Sequence, residues 1–532
     1  MKKLPLGIQN FRKIVDGGYI YVDKTHYIYN LINDASYYFL SRPRRFGKSL
    51  LLDTIAETFC GDKELFKGLW IYDSDYSFEK HPVLRLDMSD IANKTPETLE
   101  SELTITLKNR ALKENFDIGF DSPSAFFKTL IEMLHEKYGR RVVVLIDEYD
   151  KPILDHLQDA ETAEANRTVL RGFYGILKSM DPFLRFTFIT GVTKFTKTSI
   201  FSGLNNLYDI TLDRAYSNIC GVAVEDLSEL FSGHIEDIAA ANGSASVERV
   251  SDEILEWYDG YSWDGKSRVI NPYSLLSFFK RKSLESFWYA SGTPTFLLKL
   301  LKEKPASFLS LKDLEVSERV FDTFDIRRIS VASLLFQTGY LTVKRVVPGS
   351  KPSVYQLEIP NLEVREALYL NLISEFTEQD ESLTETTYYQ VKETLKTGNL
   401  EAMLRILKGL FASIPYQLHI DREAYYHSIF YAVMSVLGFD MEAEISTSKG
   451  RIDAVLELEN KVYVMEFKYH DCEPDTAPEA KRKLFDKALE EGMAQIKEMG
   501  YADKFAGSGK DVRLAALAFL GRDDIEMRTE TL

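Results

Sequence analysis

The sequence has few cysteines, no excess of basic charge and no long apolar run, and each lack excludes a class of protein. Its three cysteines, Cys60, Cys220 and Cys472, stand far apart in 532 residues. They fit neither a zinc-ligand spacing nor a disulfide framework, so reduced thiols are expected. No stretch reaches the roughly 18 consecutive apolar residues of a membrane-spanning helix. The start, MKKLPLGIQNFRK, is basic but has no apolar run behind it, which reads against a signal peptide. The expectation is a cytoplasmic protein with no membrane partner. A formal net charge of -16 argues against a general nucleic-acid coat, whose affinity comes from basic surface. It leaves a nuclease open, because bound metal ions supply positive charge locally. Internal repeats and low-complexity segments are also missing.

What is present suits folded domains. The chain is 45% hydrophobic and 12% aromatic, and it is too long for a single core. From Tyr37 to Tyr208 apolar strands (Tyr37–Ser41, Pro82–Asp87, Val142–Asp147, Leu184–Thr190) alternate with helical patterns such as Pro96–Glu114 and Ser124–Tyr138. That alternation predicts a parallel sheet covered on both faces. From about Glu225 to Glu375 the pattern turns mainly helical. It is interrupted by the aromatic, turn-rich WYDGYSWDGKSRVINPY (257–273) and by a hairpin, Tyr340–Val346 with Ser353–Ile359. The tail opens with helices at Thr384–Thr397 and Leu400–Phe411. Strands follow at Arg451–Glu457, Lys461–Lys468 and Leu514–Leu520, with a charged helix, Ala480–Met499, between the last two.

The stretch YYFLSRPRRFGKSLLLDTI (37–55) ends like a phosphate-binding loop. Such a loop between strand and helix works because its backbone N–H groups and the helix N-terminus converge on one point. Gly47, Lys48 and Ser49 stand in place, the lysine for terminal phosphates and the serine for Mg²⁺. The first glycine of the usual pattern is missing, and Arg42 stands there. About 100 residues on, RRVVVLIDEYDKP (140–152) ends an apolar strand in Asp147-Glu148. A carboxylate there holds the Mg²⁺ shell, and the next acid polarises the attacking water. A polar residue ending the next strand, Thr190 or Thr193, would face the γ-phosphate, or would simply be a solvated strand end.

SRPRRFGKSLLLDTI, with YVDKTHYIYNLI before it and VVVLIDEYDKP after it, resembles the bacterial AAA-ATPase-like family over about residues 5 to 215. The resemblance implies a nucleotide loop whose first position is arginine. Arg42, Arg44 and Arg45 beside Phe46, Gly47, Lys48 and Ser49 would make a cationic cradle, or a surface patch paired with acids. Asp23-Lys24-Thr25 also matches the family pattern. The sequence yields no derived chemistry for it: it would either close over the nucleotide or cap a helix, with Asp23 or Thr25 before Tyr27–Leu31 as the N-cap.

The tail segment SKGRIDAVLELENKVYVMEFKYH (448–470) carries a different pattern. Residues two apart on a strand share a face, so Glu466 and Lys468 point the same way, and a hairpin would bring Asp453 towards them. Two carboxylates and a lysine on one face can bind Mg²⁺ or Mn²⁺ and orient a water. Asp…Glu-x-Lys resembles the PD-(D/E)xK phosphodiesterases, and more closely the PD-(D/E)xK-like domain fused behind AAA-ATPase-like domains, over about residues 415 to 520. The resemblance implies support from a helical glutamine, Gln495, and from a further glutamate, Glu423 or Glu444. Acids outnumber bases in this tail. A nucleic-acid groove would therefore need clustered base such as Lys481-Arg482-Lys483 and Lys487, which reads equally as the solvated face of a salt-bridged helix.

The expected fold is α/β in three parts. Residues 1–215 form a P-loop NTPase parallel sheet with helices on both faces. Residues 216–385 form a mainly helical or winged-helix coupling region, and residues 386–532 an α/β restriction-endonuclease-like domain. The expected function is ATP binding and hydrolysis with a metal-dependent nuclease-like tail acting on DNA or RNA. Lys48, Ser49, Asp147 and Glu148 would serve the nucleotide, and Asp453, Glu466 and Lys468 the tail. Two alternatives stand beside it. One is a nucleotide-dependent switch or scaffold whose tail binds nucleic acid or protein without cutting. The other is an ATPase whose tail only oligomerises. A homo-oligomer is left open.

Overall fold

The apolar run Tyr37–Ser41 forms the first strand, β1, and four others gather around it. With β2 (Val83–Asp87), β3 (Val142–Asp147), β4 (Leu184–Gly191) and β5 (Tyr208–Asp209) it makes a sheet of order β2-β3-β4-β1-β5, parallel throughout. Every residue of β1 and β3 is buried. Strands covered on both faces read as continuous apolar runs rather than as an alternation. The computed structural model describes the chain apart from residues 120–121, 195–199, 202–203, 205, 242–245, 289–313, 323–329, 378–379, 413–432, 434–439, 442–453, 459, 471, 473–475, 499–504, 506–508 and 521–523. Its described residues divide into two compact units, one ending at Val364 and the other beginning at Arg365.

In the first unit the helices Pro96–Lys113, Pro123–Tyr138 and Ala160–Gly175 bury Leu103, Leu107, Phe127, Leu130 and Phe173 with Phe39, Leu86, Val144 and Ile146 of the sheet. Thr95 caps the first of these by accepting from Thr98 N, and Pro96 supplies its pre-set first position. A second core belongs to Val224–Ala241, Val247–Tyr258 and Pro272–Arg281, where Leu227, Phe231, Ile254 and Leu275 meet Ile20 and Val222. Short antiparallel strands β6 (Val222–Ala223) and β7 (Val269–Ile270) hold these helices in register. Asn271 starts Pro272–Arg281 by accepting from Tyr273 N and Ser274 N, the turn expected of Asn-Pro. The expected hairpin exists as β9 (Thr342–Val346) and β10 (Val354–Glu358), with β8 (Glu315–Ser317) added on the far side of β10.

The second unit carries helices Glu381–Thr397 and Leu400–Ala412 and a mixed sheet. Its order is β11 (Asp440–Met441), β12 (Ala454–Glu457), β13 (Lys461–His470), β14 (Asp511–Leu520) and β15 (Asp524–Thr531). β13 and β14 are parallel from Lys461↔Asp511 to His470↔Leu520, and the helix Pro478–Glu498 is the crossover that a parallel pair needs. Val462 and Val464 pack on Phe485, Leu489 and Met493 of that helix. Tyr463 faces the other way and its hydroxyl donates to Leu395 O at 2.5 Å. The strand β15 has no counterpart in the sequence reading. DIEMRTET is half charged, and it becomes a strand because every one of its residues pairs with β14. Among the described residues no helix is long and apolar enough to cross a membrane.

The carboxyl ends of β3 and β4 are fastened to each other. Asp150, in the turn after β3, is buried and accepts from Thr193 N (2.7 Å), Thr193 Oγ1 (2.5 Å) and Val192 N (3.3 Å). Tyr149 N donates to Thr190 O at 3.1 Å, and its hydroxyl donates to Thr193 O at 3.0 Å. This contact needs a glycine at 191, where a Cβ would lie 2.4 Å from Asp150 Oδ1 and 2.5 Å from the Tyr149 ring. Gly191→Ala is expected to lower the unfolding free energy by about 1–3 kcal/mol, read by urea unfolding. A wild-type midpoint would mean the turn can retreat without loss.

Candidate functional site

The phosphate-type loop leaves β1 at Arg42, whose N–H donates to Gly191 O at 3.2 Å. It turns through two left-handed residues, Arg45 (φ 69°) and Gly47 (φ 88°), before the helix Lys48–Cys60 begins. Arg45 carries the strain that a side chain meets in that region, while Gly47 is free of it. Arg42 does not join the other cations of the loop. Its guanidinium lies 3.9 Å from the Trp263 ring centroid and donates to Ser41 O (2.9 Å), Thr211 O (2.8 Å) and Tyr216 O (3.2 Å). It is fully buried, and desolvation lowers its pKa to about 10. The side chain expected in the phosphate cradle therefore stands behind the loop. Only a long, planar, multiply donating group reaches three carbonyls and an aromatic face at once.

The aromatic stretch of the middle region forms the loop's rear wall. Phe46 packs edge-on against Tyr261 and Trp263, with centroids 4.7 and 5.4 Å apart. Arg45 stacks over Tyr273 at 4.6 Å. The Trp288 indole donates to Arg44 O at 3.3 Å, and its backbone N–H donates to Glu363 at 2.7 Å. Glu363 is buried, also accepts from Ser274 Oγ at 3.0 Å, and has one carboxylate oxygen without a hydrogen-bond partner. Burial pushes its carboxyl up to about 7.

At the front of the loop is a cavity of about 490 Å³. Arg44, Arg45, Gly47, Lys48, Ser49 and Glu148 line one part of it, and apolar residues including Leu6, Ile8, Val22, Val222 and Leu276 line the rest. Lys48 is buried and donates to Arg42 O (3.0 Å) and Pro43 O (2.9 Å), so the loop's own carbonyls hold its ammonium. Desolvation lowers its pKa, against the pull of Glu148 and Asp147. Asp147, fully buried at the end of β3, lies near Ser49, which favours its charged form, and accepts from Glu148 N at 3.1 Å. Its Oδ2 has no partner, which suits a cation or a water beside Ser49. Burial raises the pKa of Asp147 and of Glu148, and Lys48 pulls both back towards the charged form. Glu148 has φ 48°, another strained left-handed position.

Neither threonine at the end of β4 lines this cavity. Thr190 Oγ1 donates to Leu40 O at 2.8 Å, and Thr193 Oγ1 to Asp150. The sequence reading stopped at the first two acids of Asp-Glu-Tyr-Asp and missed the third. The signal was present, because a lone acid so close to a buried strand end needs partners of its own.

In the second unit Glu466 is fully buried on β13. Lys468 donates to Glu466 Oε1 at 3.0 Å and to Gln495 Oε1 at 2.7 Å, so the strand pair and the helical glutamine predicted to meet do meet. Gly492 lets this helix sit close on β14, where a Cβ would come 3.0 Å from Ala516 Cβ. Asp453, Glu423 and Glu444 lie outside the described residues. Of the cations proposed for a nucleic-acid groove, Lys481, Arg482 and Lys487 stand beside acids, while Lys483 has no such partner among the described residues. Lys481 pairs with Asp524 (3.0 Å), Arg482 with Glu526 (2.9 Å) and Lys497 with Glu530 (2.6 Å), while Lys487 lies 3.8 Å from Glu491. The solvated, salt-bridged face is the arrangement adopted.

Two family models match the chain: a predicted AAA-ATPase over residues 5–201, and the PD-(D/E)XK nuclease superfamily over residues 421–528. The chain is 38% identical over 534 residues to an uncharacterised protein of the vnfD 5′ region in Azotobacter chroococcum mcd 1, covering 97% of this chain and 96% of that one. Among solved structures it matches a chain in Drosophila ORC bound to poly(dA/dT) DNA and Cdc6. That match has 12% identity and a TM-score of 0.21, over 78% of this chain and 60% of the other. A likeness so low carries no argument.

Removing Arg42 strands three carbonyls and an aromatic face. Arg42→Ala is expected to lower the unfolding free energy by about 3–5 kcal/mol, and Trp263→Ala to be partly redundant with it in a double-mutant cycle. Additive effects would show that the stack is incidental. Glu363 predicts a pH dependence. Its carboxyl is neutral in the fold up to about 7 but ionises in the unfolded chain near 4.5. The folded state therefore holds the extra proton between those values, and stability falls as pH rises through them. Glu363→Gln should flatten that fall and exceed the wild type above pH 7 in urea midpoints. Parallel profiles would remove Glu363 as the source.

Proposed function

The chain belongs to the predicted AAA-ATPase family, in the form that carries a PD-(D/E)XK nuclease-superfamily domain behind the ATPase domain; on that premise we propose that it binds and hydrolyses ATP and that nucleotide state governs a nuclease-like tail acting on DNA or RNA. The observation that carries the nucleotide half is the charge of the cavity wall. Lys24, Arg44, Arg45, Lys48 and Lys151 line it against one acid, Glu148, in a protein whose overall charge is strongly negative. Such a wall suits a small polyanion.

In this reading Lys48 holds the β- and γ-phosphates, and Arg44 and Arg45 add charge beside the backbone N–H groups at Gly47. A divalent cation bound with the nucleotide, Mg²⁺ in most such sites, neutralises phosphate charge, and Ser49 and Asp147 are the residues that would hold it. Glu148 orients the attacking water and takes up its proton. Arg42 and Phe46 act from behind by fixing the loop's shape, and Thr190 acts only by tying β4 to β1. In the tail Asp453 and Glu466 would hold Mg²⁺ or Mn²⁺, Lys468 would orient the water, and Gln495 would fix the lysine. Glu423 or Glu444 would complete the set. Residues 1–215, 216–385 and 386–532 then serve as nucleotide, coupling and nuclease-like segments.

A second reading is favoured by a specific observation. Lys481, Arg482 and Lys497 are already paired with acids, so among the described residues this helix face offers a polyanion less base than its sequence suggests. A tail that binds a partner without cutting is consistent with that. The test is cleavage of single- and double-stranded DNA and RNA by the full chain with Mg²⁺ or Mn²⁺, with and without ATP. Glu466→Ala should abolish cleavage. Glu148→Gln should keep ATP bound and slow its turnover by about 10²-fold or more. Turnover unchanged in Glu148→Gln would remove its catalytic role, and absence of cleavage on every substrate would leave the binding tail as the better account.

A further inference from the structure

The tripeptide Asp23-Lys24-Thr25 matches a family pattern without chemistry of its own, and its three residues have separate tasks. Asp23 Oδ1 accepts from Thr25 N (2.8 Å) and Thr25 Oγ1 (2.7 Å), and its Oδ2 accepts from Trp70 N (2.7 Å). Thr25 Oγ1 in turn accepts from Ile71 N at 3.1 Å. Both outer residues are thus used in joining the start of the helix Thr25–Asp34 to the turn Trp70–Asp73. They hold the backbone between them in place, and that backbone carries Lys24.

Lys24 lines the same cavity as Lys48. Its side chain is 12% exposed, and its ammonium lies 3.4 Å from Asp226 Oδ2. That contact is long for a charge-assisted hydrogen bond. Asp226 also has a partner apart from the lysine, because the same oxygen accepts from Ala223 N at 3.1 Å at the start of the helix Val224–Ala241. The ion pair is therefore loose on one side and replaceable on the other. A half-buried lysine held by one distant carboxylate gains more from a nucleotide polyphosphate than from that carboxylate.

We propose that Lys24 is a second nucleotide-binding lysine, which exchanges Asp226 for a phosphate oxygen of the bound nucleotide. The proposal rests on the reading of the cavity as an ATP site. In it the pattern Asp-Lys-Thr is a device for presenting one cation: the two flanking residues lock the chain and the middle residue reaches the ligand. The exchange would also release Asp226, so the helix Val224–Ala241 would lose this one ion pair to the N-terminal segment when nucleotide binds, while its apolar contact with Ile20 stays.

The test is titration calorimetry of the full chain with Mg²⁺ and ATP, ADP or AMP, using Lys24→Ala, Lys24→Gln, Lys24→Arg, Asp226→Asn and Lys48→Ala. Lys24→Ala and Lys24→Gln should weaken ATP at least about tenfold, weaken AMP least, and be largely rescued by Lys24→Arg. Asp226→Asn should bind ATP as tightly as the wild type or more tightly, because it frees the lysine. If the ion pair matters only for structure, Asp226→Asn will weaken ATP as Lys24→Ala does, and the proposal is overturned. It is also overturned if both Lys24 variants bind within twofold of the wild type while Lys48→Ala loses binding, which leaves the ATP site itself intact. Wild-type affinity in Lys48→Ala would overturn the site and the role of Lys24 together.

Discussion

A buried guanidinium sets the shape of the nucleotide cavity. Arg42 occupies the position where a phosphate loop ordinarily needs a glycine, and it points the other way. Taking a cation out of water costs several kcal/mol. Three carbonyl acceptors at about 1.5–3 kcal/mol each and the face of Trp263, at up to about 2 kcal/mol, are enough to offset it. The net gain is small, and the specificity is large. Ser41, Thr211 and Tyr216 end or follow β1 and β5, and Trp263 lies in the middle region. One side chain therefore fixes the strand end, the edge of the sheet and the aromatic wall against one another. The loop keeps its curvature through Arg45 and Gly47, with no glycine at the first position.

Three acids in four residues at the end of β3 show how environment divides one residue type among tasks. Asp147 accepts from Glu148 N and keeps an oxygen without a partner. Glu148 is placed at the cavity by a strained left-handed backbone. Asp150 is fully engaged by Val192 and Thr193 and never meets the cavity. Such strain persists where the surroundings enforce it. Here Tyr149 and Asp150 are bonded to the end of β4, so the turn that presents Glu148 has little freedom to relax.

The tail solves a different electrostatic problem. Glu466 is buried beside Lys468, and Gln495 takes up a second donor of that ammonium. A buried carboxylate beside a lysine and a neutral amide is well oriented, but it is not a strongly basic surface. Three cations of the helix Pro478–Glu498, Lys481, Arg482 and Lys497, are spent on β15. Surface pairs of this kind contribute little stability each. They do screen the edge strand, whose open side would otherwise be a template for pairing with another chain.

The sequence by itself determined the elements whose signal is local. Strands buried on both faces appear as unbroken apolar runs, so β1, β3 and β4 were legible to within a residue or so. The helices around them carry their caps, as in Thr95-Pro96 and Asn271-Pro272. Glu466 and Lys468 were legible because spacing two on a strand fixes a shared face, whereas Gln495 was implied by the family resemblance and not by its own spacing. The tertiary structure alone decided what depends on partners remote in sequence. Arg42 faces Trp263 more than 200 residues away, so a cluster of arginines could not reveal which of them turns from the ligand. Asp150 needed β4 beside β3, and β15 needed β14 to supply the pairing its polar sequence does not suggest. Local patterns record which face of an element is apolar; the fate of a buried charge depends on which distant group closes over it.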